Sequence, residues 1–285
     1  MEYATLPNGL KMPLEGFGVF QVPDLEECED SVYAAIKDGY RLIDTASAYA
    51  NEEAVGAAVR RAVEDGICTR DELFVTTKLW IQDYPDAEAA FELSLKKLGM
   101  DYVDLYLLHQ PIGDYYTAWR SLEKIYASGK AKAIGVCNFY PERITDLCLH
   151  VDVKPMVNQV ECHPFFQQTE ALQAAEEFGY TLEAWGPLAE GGHGIFTHPV
   201  LATIGEKHGK TAAQVALRFN VQRGIVVIPK SVHEERIKEN FDIWDFELTD
   251  EDMEAVEALD LGHSEIIDHS DPSTAKFLSS FNIHD

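Results

Sequence analysis

Apolar residues along this chain come in two alternating patterns. Short stretches with apolar cores fall at 14–20, 41–45, 73–79, 103–109, 133–138, 156–161, 182–186 and 225–228. Each is rich in β-branched or aliphatic residues and bounded by polar turns, which predicts a strand buried on both faces. Between them, apolar residues recur at helical spacing at 25–38, 52–65, 87–98, 116–128, 141–149, 169–178, 199–208 with 211–222, and 234–240. Eight strand–helix units predict an α/β fold, and eight is the number that closes a TIM (β/α)8 barrel. Residues 1–285 are expected to form one such domain.

Three segments fall outside the eight units. Pro7, Asn8 and Gly9 stand between short apolar runs, a hairpin signal because Asn and Gly tolerate positive φ. That hairpin is expected to lid one end of the barrel. A further helix should begin after Thr249, capped by its hydroxyl and favoured by acidic residues through Asp252. The tail from Gly262 to Asp285 shows no clear periodicity and is expected to lie across the barrel.

Composition narrows the partners more than the fold. With 46% hydrophobic residues the chain can fill a sizeable core, and its formal net charge is -26. Such an acidic chain argues against nucleic acid and anionic membrane surfaces, since both need a basic face. The five cysteines are odd in number and form no C-x-x-C pair, which suits a reducing compartment better than a disulfide framework. Neither a secretory leader nor a run of about 18 apolar residues is visible. The expectation is a cytoplasmic protein acting on small molecules.

Two phosphate-loop lookalikes fail on context. Residues 205–211 (GEKHGKT) are one residue short of a P-loop and lie between helices, where a capping glycine and a capping Thr211 explain them. Gly16 and Gly18 are followed by Gln21 where a dinucleotide fingerprint needs a third glycine. The ten histidines include no H-E-x-x-H pair or Cys/His cluster, so no metal site is expected.

The chemistry gathers at strand ends. Asp44 and Tyr49 follow the second strand, Lys78 closes the third and His109 ends the fourth. Singly, these residues read as a turn cap, a core aromatic, a solvated charge and an interior histidine. In a β/α barrel, however, all such strand ends open on one face, where active sites lie. The set is also chemically coherent. A phenol with a pKa of about 10 is a poor acid at neutral pH, and a neighbouring ammonium favours the phenolate. Lys78 can supply that charge, Asp44 can hold it, and His109 can orient a substrate oxygen.

The motifs carrying these residues resemble the aldo-keto reductase family over almost the whole chain. They are residues 44–52 (DTASAYANE), 76–80 (TTKLW), 104–109 (DLYLLH), 135–139 (GVCNF), 158–164 (NQVECHP) and 228–231 (IPKS). The resemblance implies NADPH extended across the barrel's open face and Tyr49 as proton donor. It implies that Asn138 and Gln159 hold the nicotinamide carboxamide, that Trp185 stacks on the nicotinamide, and that the loop from Leu188 approaches the pyrophosphate. It further implies an adenosine-end site of Lys230, Ser231, Arg236, Glu239 and Asn240, the cations taking the 2′-phosphate. Cys137 departs from the family's usual serine, and a thiol is a weak donor, so one carboxamide contact is expected to weaken. A monomer is implied as well.

Substrate size follows from loop lengths. The connection after His109 is short and the tail modest, so a shallow pocket walled by Phe20, Trp80 and His109 is expected. Small aldehydes, ketones and dicarbonyls are the corresponding substrates. The alternative is a nucleotide-binding regulatory subunit on the same fold with little turnover.

Overall fold

The computed structural model describes residues 1–284. It opens with two short antiparallel strands, β1 (Tyr3–Thr5) and β2 (Lys11–Pro13). The barrel then runs β3 (Phe17–Gly18), α1 (Leu25–Asp38), β4 (Leu42–Asp44), α2 (Glu52–Glu64), β5 (Phe74–Leu79) and α3 (Ala87–Leu98). It continues with β6 (Val103–Leu108), α4 (Tyr115–Ala127), β7 (Ala131–Cys137), α5 (Pro141–His150), β8 (Val157–Glu161) and α6 (Thr169–Phe178). The last barrel elements are β9 (Thr181–Trp185), α7 (Pro199–His208), α8 (Ala212–Gln222), β10 (Val226–Val227) and α9 (Glu234–Phe241). Two more helices follow, α10 (Asp250–Glu257) and α11 (Pro272–Ser280).

Strands β3 to β10 pair in sequence order, all parallel. The ring is closed just before β3. Glu15 bridges Val227 in parallel, Gly16 N–H donates to the Val227 carbonyl at 2.8 Å, and Val227 N–H donates to the Leu14 carbonyl at 3.0 Å. The barrel expected from eight apolar runs is therefore present. Its strands carry continuous buried runs such as Phe74–Leu79 and Val103–Leu108 because helices cover them outside and side chains fill them inside. Gly135 shows how tight that filling is: a Cβ there would lie 2.4 Å from the Val157 carbonyl oxygen.

The hairpin closes the end of the barrel opposite the strand C-termini. Asn8 Nδ2 donates to the Lys132 carbonyl at the start of β7, 2.8 Å away. Its turn differs from a two-residue Asn-Gly loop. Gly9 N–H bonds the Leu6 carbonyl, Leu6 N–H bonds the Leu10 carbonyl, and of Asn8 and Gly9 only Gly9 has positive φ. Pro7 presets the first turn position, so the left-handed step falls on the glycine alone.

Caps behave as read. Thr249 and Asp252 form a reciprocal capping box on α10. The P-loop lookalike resolves into Gly209, left-handed at the end of α7, and Thr211 capping α8.

The tail was only partly legible. It crosses the mouth of the barrel, yet it also contains α11, started by Asp271 accepting from Ser273 N–H, with Pro272 in the first turn. One anchor is Glu161 at the end of β8, which accepts from Ser264 Oγ at 2.7 Å and Glu265 N–H at 2.9 Å. The other is the segment after β5, where Trp80 Nε1 donates to the Phe281 carbonyl and Gln82 Oε1 accepts from Ile283 N–H, each at 3.0 Å. No described helix is long and apolar enough to cross a membrane.

Candidate active site

The four strand-end residues meet. Lys78, fully buried on β5, places Nζ 2.5 Å from Asp44 Oδ1, 3.0 Å from the Thr45 carbonyl and 3.2 Å from the Tyr49 hydroxyl. Tyr49 reaches this point from a short 3-10 turn, Ser47–Tyr49, which Ala50 ends in the left-handed region. Ser47 Oγ ties that turn to the Lys78 carbonyl at 2.9 Å. The Tyr49 and His109 rings meet edge-on with centroids 5.5 Å apart.

The neighbouring motif residues brace the loops. Asn51 Nδ2 donates to the Val19 and Val22 carbonyls, and Thr45 Oγ1 donates to Asn51 Oδ1. These bonds fix the β3–α1 connection against the β4–α2 connection. Asp104 lies nearer the other end of the barrel, bound to Arg70 at 2.8 Å and to Val75 N–H at 2.9 Å. It carries structure rather than chemistry.

Burial sets the protonation states. It opposes charge on Lys78, but Asp44 and the Tyr49 oxygen overcome that effect and hold the ammonium protonated above its ordinary range. Burial also pushes the Asp44 carboxyl up, with Lys78 and Gln159 pulling it back. Tyr49 corrects the simple expectation of a more acidic phenol. Burial pushes it up to about 12, Lys78 lowers it, and Asp44 raises it again. The hydroxyl thus keeps its proton across the neutral range, while Lys78 stands ready to stabilise the oxyanion left when that proton goes. His109 is held neutral, first by burial and then by the charge of Lys78.

The cofactor positions divide into two groups. Asn138 follows β7 in the left-handed region, donates to the His109 carbonyl at 3.2 Å and accepts from Trp185 Nε1 at 2.8 Å. Gln159 Nε2 donates to Asp44 Oδ2 at 2.9 Å and to Glu183 Oε2 at 2.8 Å. The structure therefore joins Asn138, Gln159 and Trp185 to the Asp44–Lys78 centre. Cys137 is buried beside them, its thiol pushed up by burial and so neutral.

Leu188 and the segment Ala189–Thr197 follow β9, with Glu190, Gly191, His193 and Gly194 in the left-handed region. The second group sits after β10. Lys230 and Arg236 are exposed, and neither has an ion-pair partner among the described residues. Ser231 Oγ accepts from His233 N–H at 3.1 Å, Glu239 accepts from Thr211 Oγ1 at 2.9 Å, and Asn240 is buried. Two unpaired cations in so acidic a chain fit an anionic group, and the half-buried Trp185 ring fits a flat heterocycle.

The expected pocket walls are only partly open. Phe20 is 49% exposed and lies 5.0 Å from the Tyr49 ring, a placement suited to a pocket rather than to the core. Trp80 is buried: its ring meets His109 at 5.1 Å and Phe281 at 5.7 Å. The tail proves less modest than its length suggested, because its Trp80 anchor brings Phe281 onto that wall.

Sequence reasoning missed Glu183, Glu161 and His269. A glutamate inside the apolar run of β9 was the available signal for Glu183. Glu161 stood in a quoted motif without a role, and nothing in the aperiodic tail set His269 apart from His263 and His284.

The family model for the aldo/keto reductase family matches residues 16–261. The chain belongs to the aldo/keto reductase family. A glyoxal reductase of Bacillus subtilis (strain 168) is 50% identical over 257 residues, covering 89% of this chain and 91% of that one. Methylglyoxal reductase DkgA of Escherichia coli (strain K12) is 43% identical over 260 residues, covering 90% and 93%. The crystal structure of a Bombyx mori aldo-keto reductase in complex with NADP superposes with a TM-score of 0.89 at 34% identity, covering 96% of each chain. Membership in the aldo/keto reductase family makes the chain an oxidoreductase acting on carbonyl groups.

Proposed function

We propose that the chain reduces small aldehydes, ketones and dicarbonyls to alcohols, with Tyr49 as the proton donor. The cofactor is NADP(H), which supplies the hydride when bound. The observation that carries the reading is the Lys78 ammonium, 2.5 Å from Asp44 and 3.2 Å from the Tyr49 hydroxyl.

Each residue has one task. Tyr49 holds its proton at neutral pH and gives it to the carbonyl oxygen as negative charge develops there. Lys78 donates to the phenol oxygen and so stabilises the phenolate, while Asp44 and the Thr45 carbonyl keep the ammonium in place. His109, neutral, hydrogen-bonds the same substrate oxygen and fixes its orientation. Asn138, Gln159 and Trp185 would hold the nicotinamide, the loop from Leu188 the pyrophosphate, and Lys230, Ser231 and Arg236 the 2′-phosphate. Glu239 and Asn240 would flank the adenosine.

Relatives named for glyoxal and methylglyoxal support the small-carbonyl class. So does the wall formed by Phe20, Trp80 and Phe281. A carbonyl panel assayed by NADPH oxidation tests the reading. Steady turnover of short aldehydes and dicarbonyls is expected, and a clear preference for a steroid-sized ketone would contradict it.

A further inference from the structure

Strand β9 carries a carboxyl between Leu182 and Ala184, and Glu183 is fully buried there. In the strand register it stands directly opposite Gln159 of β8. Paired residues of parallel strands project from the same face. Trp185, two positions on, projects from that face too, one layer nearer the barrel mouth. Glu183 therefore lies in the layer beneath the ring read above as the nicotinamide platform. Its Oε2 accepts from Gln159 Nε2 at 2.8 Å, while Oε1 is buried without a partner. Among the described residues the carboxyl thus makes one hydrogen bond, and that bond is to Gln159. Burying a carboxyl is costly, and packing alone would be better served by an apolar side chain of similar volume.

The Gln159 amide shows what the bond does. Its nitrogen has two hydrogens, one directed to Asp44 Oδ2 at 2.9 Å and the other to Glu183 Oε2. Its oxygen accepts from no other side chain or backbone group among the described residues. Turned over, the amide would set that oxygen against the Asp44 carboxylate and lose both bonds. The two carboxyl groups together fix which end of the amide is free, and that end is an acceptor. A primary carboxamide can offer either its oxygen or its N–H2. Facing a fixed acceptor, it must offer N–H2.

We propose that Glu183 is a positioning residue for the cofactor: by accepting one amide hydrogen of Gln159, it holds the Gln159 oxygen ready for the N–H2 of the nicotinamide carboxamide. Asp44 also serves Lys78 through its other oxygen, so Glu183 is the carboxyl devoted to the amide. The inference rests on the reading above in which Gln159 meets the carboxamide. It adds a residue that acts only through Gln159, from the layer below.

The test is equilibrium binding, to the full chain, of NADPH and of its 3-acetylpyridine analogue. The analogue keeps the carbonyl oxygen but has a methyl group in place of N–H2. The unsubstituted chain should bind NADPH about fivefold more tightly than the analogue, the contribution of one net hydrogen bond. Glu183→Met, unbranched and apolar, should weaken NADPH alone and bring the two affinities within about twofold. Glu183→Ala offers the same comparison should Glu183→Met fail to fold. Glu183→Gln, which keeps an acceptor in place, should restore most of the preference. Equal weakening of both cofactors would show a merely structural role, and an unchanged preference would show that Asp44 suffices. Either result overturns the proposal, as does an unsubstituted chain with no preference. Gln159→Leu separates this proposal from the reading beneath it. If Gln159→Leu abolishes the preference and Glu183→Met does not, this proposal alone fails. If Gln159→Leu also leaves the preference intact, the carboxamide is held elsewhere and that reading fails with it.

Discussion

Glu183 Oε2 accepts a hydrogen bond from Gln159 Nε2 at 2.8 Å, inside the barrel and away from solvent. The same nitrogen donates to Asp44 Oδ2. Both amide hydrogens of Gln159 are therefore committed to carboxylates, and only its oxygen remains to accept from another partner. A second buried carboxyl so near the Asp44–Lys78 pair has a cost, and Glu183 meets it by keeping its proton. Burial first, and then the charge of Asp44, push it up to about 8.

A pH signature follows. Glu183 is raised in the folded chain above its ordinary 4.5, so the stability it contributes is complete below pH 4.5. That contribution is lost as pH rises through about 8. Denaturant unfolding at pH 5 and pH 8.5 should show the parent chain losing on the order of 4 kcal/mol more than Glu183→Gln across this window. Parallel losses in both proteins would show that Glu183 does not titrate there.

Cofactor choice should depend on two exposed cations. NADH lacks the 2′-phosphate, leaving Lys230 and Arg236 without that partner, and a charge-assisted hydrogen bond contributes roughly 1.5–3 kcal/mol. Arg236→Ala should weaken NADPH binding by about tenfold or more, with little effect on NADH. Equal weakening of both, measured by fluorescence titration, would place the 2′-phosphate elsewhere.

The first part of the tail should depend on the Glu161 carboxylate. Burial would raise Glu161, but bonds from His163, Ser264 and Glu265 bring it below its ordinary value. Glu161→Ala should raise hydrogen exchange across residues 264–283, leaving β5 and β6 protected. Unchanged exchange in that segment would mean that the Trp80 anchor suffices.

Salt should stabilise the chain. At a net charge of -26 its surface repels itself, and raising ionic strength from about 0.01 M to 0.15 M shortens the Debye length from about 30 Å to about 8 Å. The melting temperature should rise by a few degrees over that range; a fall would show that the ion pairs outweigh the repulsion.

The sequence made the barrel legible because its strands need continuous apolar runs and its helices need caps. Both are local patterns, visible from Leu42 to Val227. Asp44, Tyr49, Lys78 and His109 were legible by position, since strand ends converge in a barrel whatever the side chains. Glu183, Glu161 and His269 were not, because their parts depend on partners far along the chain. Glu161 meets Ser264, 103 residues away. Helix α11 escaped because it is short and followed no strand, although Asp271 and Pro272 marked its start. The Tyr49 proton shows a different limit. Residue types gave the direction of Lys78's effect, but only burial revealed that desolvation outweighs it.

The central claim is that Tyr49 donates the proton. The most direct measurement is single-turnover reduction of methylglyoxal by Tyr49→Phe preloaded with NADPH, alongside the NADPH dissociation constant of the same variant. The ring remains and only the hydroxyl is lost, so reduction should slow by roughly 10³-fold while NADPH affinity stays within about threefold of the parent. Near-parental reduction by Tyr49→Phe would contradict the account.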